Sequence, residues 1–168
     1  MIHTLCEPYS TLSTQRTLVS EQGQPWRVGV GDIMSVSPVT IAPSSSVHAA
    51  QALMQQRKIR HLPVLKDGRL VGMISDRDIR LVLPSPATSL SVWEVRHLLD
   101  KLTVGEVMTY FVMTTAPDCL VTEAVGRMLG HKVGALPVVE DHQVIEILTR
   151  TDVLRAFRRL YAELSAVA

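Results

Sequence analysis

The chain repeats itself at a fixed offset of 74 residues. Leu62-Pro63-Val64 returns as Leu136-Pro137-Val138, Asp67 as Asp141, Ser75 as Thr149 and Asp78 as Asp152. Running backwards without a gap, Met34 pairs with Met108, Thr40 with Thr114, Ala42-Pro43 with Ala116-Pro117, Val47 with Val121, Ala50 with Ala124 and Met54 with Met128. Each copy is too small to close a good core alone, so the two are expected to pack on each other.

Within a copy the local signals are strong. Residues 59–64 read as a strand, Asp67-Gly68 as a tight hairpin turn, and Leu70 to Ser75 as a second strand running into a helix. Ser75 and Asp78 are three apart at that helix start, so a hydroxyl and a carboxylate share one face where anions are favoured. Ahead of the hairpin, residues 28–35 read as a short helical turn and Val39-Thr40-Ile41 as a first strand. Ser44, Ser45 and Ser46 offer caps to a helix carrying Val47, Ala50, Leu53 and Met54 on one side. The second copy follows the same order, with Asp118 as its expected cap and a longer final helix from about Thr151.

The expected organisation is a polar arm (1–27), a first repeat (28–83), a helical linker (84–101) and a second repeat with an extended terminal helix (102–168). The linker carries Val92, Val95, Leu98, Leu99 and Leu102 at helical spacing and is expected to cross the joint between repeats.

Composition narrows the function. The formal charge of +1 and an aromatic content of 4% point away from nucleic acid and from a membrane surface. No run approaches the roughly 18 apolar residues of a membrane span, and no signal peptide is evident, so the expected location is cytoplasmic. Cys6 and Cys119 lack ligand spacing and are expected to be free thiols. The histidines show no metal pattern, and there is no nucleophile–base pair or phosphate loop. The expectation is a non-enzyme without a metal.

The ordered set of motifs, occurring twice, resembles the cystathionine β-synthase (CBS) domain: "DIM…T-x-A-P", "RHLPV…DG…LVG" and "S-D-R-D". It covers about residues 28–163 and matches the tandem pair called a Bateman module. The resemblance implies an α+β fold of two pseudo-symmetric β-α-β-β-α repeats packed through their sheets, in a flat disc-like homodimer. It implies no obligatory cofactor. It does imply a bound adenosyl compound (AMP, ADP, ATP or S-adenosylmethionine) in clefts between the repeats, and an effector protein that receives the signal.

Carried over residue by residue, one cleft uses Thr149 and Asp152 with Ser45, Ile59, Arg60 and His61. The other uses Ser75 and Asp78 with Cys119, Val133, Gly134 and Ala135. Thr40, Ile41, Pro63 and Thr114 complete the lining. In the family the Asp takes the ribose hydroxyls and the Ser or Thr helps hold phosphate, roles that suit a carboxylate and a helix N-terminus. The copies differ in two ways: Arg60-His61 becomes Gly134-Ala135, and Glu146 stands where the first copy has Gly72. The alternative function is a ligand-independent interaction or scaffold protein that keeps the fold.

Overall fold

The computed structural model describes residues 28–36, 38–84 and 89–167. In chain order they form a 3-10 turn (Val30–Asp32), strand β1 (Ser35–Val36), helix α1 (Val47–Arg57), strands β2 (His61–Lys66) and β3 (Arg69–Ser75), and helices α2 (Asp76–Val82), α3 (Val92–Lys101), α4 (Val104–Val107) and α5 (Val121–Gly130). Strands β4 (Ala135–Glu140) and β5 (Gln143–Thr149) and helix α6 (Arg150–Val167) complete it. This is the expected α+β architecture. The expected arm, 1–27, lies outside the described residues.

The chain forms two compact units, and they are not the two sequence repeats. One unit is Pro38–Val112; the other joins the described residues before Pro38 to those from Met113 onward. The leading segment of each repeat therefore packs with the other repeat's hairpin. In the first unit Val104 N donates to Ser45 O at 2.8 Å, and Met73 and Thr109 exchange two backbone bonds. In the second, Val30 N donates to Cys119 O at 2.8 Å, and β1 pairs antiparallel with β5. These contacts are related by the same offset of 74.

Each unit has its own hairpin and core. β2 and β3 pair antiparallel as a two-stranded sheet, and β1-β5-β4 make a three-stranded one. The turns hold two successive residues at positive φ, Asp67 (52°) and Gly68 (75°) in one and Asp141 (47°) and His142 (66°) in the other. That backbone matches the strand twist of a two-residue hairpin. A register shift follows Val64 in the first hairpin and Val138 in the second. Val47, Ala50, Met54, Leu62, Val64, Ile74 and Ile79 fill the first core; Val30, Ala124, Met128, Leu136, Val138 and Leu148 fill the second.

Several local expectations are corrected. Val39–Ile41 and its counterpart shrink to single parallel bridges, Ile41 with Val64 and Thr115 with Val138. Of the three serines, Ser46 caps α1, accepting from Ala49 N at 3.1 Å. Asp118 does not cap α5, whose N-cap is Leu120 without a side-chain bond. The apolar side of α1 is spent on its own core. The linker helix α3 packs on α1 within the Pro38–Val112 unit through Leu99, with Val95 and Leu102 partly buried, while Val92 and Leu98 are exposed. His48 Nδ1 and Asp100 Oδ1, 2.8 Å apart, join the same two helices. Cys119 is fully buried and disulfide-bonded, not a free thiol.

Candidate functional site: paired hydroxyl–carboxylate caps

Where β3 gives way to α2, Ser75 is extended (φ −120°, ψ 165°) and serves as N-cap. Its Oγ donates to Asp78 Oδ2 at 2.6 Å and its N–H donates to the same oxygen at 2.8 Å. The Asp78 N–H returns a bond to Ser75 Oγ at 3.3 Å. This is a capping box with Asp in the third position, and it satisfies two otherwise orphaned donors. The junction of β5 and α6 repeats it. Thr149 Oγ1 and N–H reach Asp152 Oδ2 at 2.5 and 2.9 Å, and Asp152 N–H reaches Thr149 Oγ1 at 3.4 Å.

One carboxylate oxygen therefore holds the helix start in each unit. Asp78 Oδ1 takes no part in the cap. Asp152 is 5% exposed, and its Oδ1 lies 3.6 Å from Arg155 Nη1.

The hairpins bring further expected residues to the same ends. His61 is opposite Ser75, and Arg60 O accepts from Asp76 N at 3.0 Å. Arg60 is exposed and His61 half-buried. Ile59 is partly buried, and Pro63 O receives Ile41 N at 3.1 Å. Thr40 and Ser45 are intermediate in exposure. In the other unit Ala135, 3% exposed, is opposite Thr149, and Gly134 O accepts from Arg150 N at 3.2 Å. Thr114 is buried at 1%. Each unit thus assembles its own hydroxyl, carboxylate and strand-end residues. The crosswise sets implied by the resemblance draw on both units.

Two features escaped the sequence reading. Glu146 is 3% exposed, so it does not point to solvent. Arg155 reaches Asp152, although the sequence placed it only on the far side of the last helix. Its signal was present at the offset of 74, where α2 carries Leu81.

Two more helices open the same way. Glu106 accepts from Thr103 Oγ1 (2.6 Å) and N–H (2.8 Å), and Glu94 from Ser91 Oγ and N–H (both 2.7 Å). Those bonds, the hydroxyl's first, hold both carboxyls below their ordinary range. Among the described residues there is no group of three or more His, Cys, Asp or Glu that could hold a metal. No helix among them is long and apolar enough to cross a membrane.

Comparison with known proteins agrees with this geometry. The CBS-domain family model matches twice, over residues 30–85 and 104–159. An uncharacterised protein of Methanocaldococcus jannaschii, MJ1426, is 33% identical over 151 residues, covering 76% of this chain and 89% of its own. The CBS-domain pair of protein MJ0100, solved with 5′-methylthioadenosine and S-adenosyl-L-methionine, superposes with a TM-score of 0.66 at 30% identity, covering 78% of this chain and 96% of that one. The L-aspartate semialdehyde sulfurtransferase of M. jannaschii is 31% identical over 130 residues, but the match spans 23% of that enzyme and 76% of this chain. The twofold family match, falling on the two halves that carry the paired caps, makes this chain a member of the CBS-domain family with two CBS repeats in tandem.

Proposed function

We propose that the chain is a regulatory module that binds an adenosine-containing ligand between its two CBS repeats and passes the signal to a partner protein. The observation that carries this is the hydroxyl–carboxylate cap, built twice with the same geometry. A carboxylate accepts from two adjacent ribose hydroxyls, and a hydroxyl with free helix N–H groups receives phosphate. The related MJ0100 pair, solved with two adenosyl compounds, supports the ligand class. One cleft would combine Thr149 and Asp152 with Ser45, Ile59, Arg60 and His61. The other would combine Ser75 and Asp78 with Cys119, Val133, Gly134 and Ala135; Thr40, Ile41, Pro63 and Thr114 would line them. A ligand that touches both repeats favours one arrangement over another by its differential affinity, and that difference is the signal. No catalytic step is assigned to the chain.

The test is a thermal-shift panel of AMP, ADP, ATP and S-adenosylmethionine on wild type, Asp78→Ala and Asp152→Ala. A ligand at a hundredfold its Kd stabilises by about 2.7 kcal/mol, a readily measured rise in Tm. A rise lost in one variant supports the module. No rise with any ligand, on protein freed of carried-over nucleotide, favours the scaffold reading. That second reading has its own observation: both carboxylates already serve as caps.

The chain is also proposed to act as a homodimer. Leu81, Leu129, Leu154, Phe157 and Tyr161 are all more than 60% exposed on helices, an apolar supply typical of interfaces. A monomer by light scattering at micromolar concentration would remove this claim.

A further inference from the structure

Helix α6 continues beyond its cap in a way that α2 does not. Asp152, Arg155, Arg159 and Glu163 follow one another at intervals of three, four and four residues, which places them along one side of the helix. Arg155 Nη1 is 3.6 Å from Asp152 Oδ1. Arg155, Arg158, Arg159 and Ala162 line a cavity of about 460 Å³, within the size range of small-molecule sites. Arg158 and Arg159 enter no ion pair or hydrogen bond among the described residues. Glu163 Oε2 is buried without a partner and closes the cationic run. At the offset of 74, Leu81 stands for Arg155 and Ser85 for Arg159. The late cation of α2, Arg80, is tied to Asp76 at 2.9 Å.

Resting on the adenosyl reading above, we propose that Arg155 and Arg159 make the Asp152 half-site selective for a nucleoside di- or triphosphate. With the ribose on Asp152, the phosphate chain runs along α6. A rise of about 1.5 Å per residue puts Arg155 and Arg159 roughly 4.5 and 10.5 Å farther along the axis, in step with successive phosphates. Each guanidinium offers a planar donor fork that fits a phosphate. Ligand phosphate replaces Asp152 Oδ1 as the partner of Arg155 and frees that oxygen for the ribose. The Asp78 half-site, with Leu81 and Ser85, has no such track and does not read phosphate from its helix.

Isothermal titration with ATP, AMP, adenosine and 5′-methylthioadenosine tests this on wild type, Asp152→Ala, Arg155→Leu/Arg159→Ser and Asp152→Ala/Leu81→Arg. Circular dichroism melting confirms that each variant folds. The expected result is that the double arginine variant weakens ATP binding tenfold or more and leaves adenosine and 5′-methylthioadenosine within twofold. ATP binding to wild type also falls with added NaCl, and Leu81→Arg in the Asp152→Ala background strengthens ATP binding to the remaining half-site. Equal losses for ATP and adenosine, or unchanged ATP binding in the double variant, overturn the proposal and leave the adenosyl reading standing. A wild type that binds none of the four compounds overturns both.

Discussion

The two units share a backbone plan and differ where side chains meet the sheet. In the Pro38–Val112 unit, Gly72 lies under Met108, and a Cβ added there would come 2.4 Å from Met108 Sδ and 3.0 Å from Thr109 O. In the other unit the same register position is Glu146, buried opposite Val138, and the methionine at the offset, Met34, is only partly buried. One hairpin turn has glycine at its second positive-φ position; the other has His142. One cap faces Leu81, the other Arg155. Backbone bonds and caps tolerate these changes because they are made by groups every residue carries. The side chains around them are free to specialise, so the halves can hold one fold and offer different chemistry.

The largest test of this comparison is in the cores. Leu62 and Leu136 are related by the offset and both fully buried, so Leu62→Ala and Leu136→Ala should each cost about 2–5 kcal/mol in urea denaturation. Costs differing by more than about 2 kcal/mol would show that the two cores relax differently around a cavity. Next is Gly72→Ala, expected to cost about 1–3 kcal/mol as Met108 and the Thr109 carbonyl are pushed aside; a neutral outcome would mean that the glycine is not required by packing. Ser75→Ala and Thr149→Ala should each lose about 0.5–2 kcal/mol. The second should lose more, because Asp152 is the more deeply buried carboxylate, and the reverse order breaks that reasoning. His142→Gly should gain up to about 1 kcal/mol by relieving a left-handed backbone, with Gly68→His losing a similar amount.

The smallest effect lies where α4 opens with Thr103 and its offset partner is Gly29, which has no hydroxyl to donate. Glu106 is held below its ordinary value of 4.5 by the Thr103 hydroxyl, then by the Thr103 N–H. Its contribution is therefore present above pH 4.5 and is lost as pH falls through the lowered folded value. Carboxyl NMR titration should place Glu106 below 4.5, and Thr103→Ala should return it toward that value.

What the sequence revealed was local or periodic. The hairpins, the Ser75 and Thr149 caps and the apolar sides of α1 and α5 depend on residues within a few positions of each other. The family resemblance rested on those signals occurring twice. Less legible was what depends on distant partners. Ser35–Val36 becomes a strand only because β5 offers an edge. Val39–Ile41 yields a single bridge rather than a strand. Asp118 looked like a cap but sits two residues too early. The value of Arg155 emerges only when its reach to Asp152 is set against Leu81. The crosswise cleft sets remain expectations of the resemblance, since their members divide between the two units.

The exchange of leading segments has a consequence for how the chain is made. The Pro38–Val112 unit is continuous, so it can close as soon as residue 112 has left the ribosome. The other unit is split around it: residues 28–36 emerge first and then await partners that begin only at Met113. β1 cannot pair until β5 exists, at the far end of a long loop whose closure is slow. The first-made unit shortens that loop by folding inside it. The order of synthesis therefore favours completing the inner unit first, and damage to its core should delay the outer unit without touching a single outer contact.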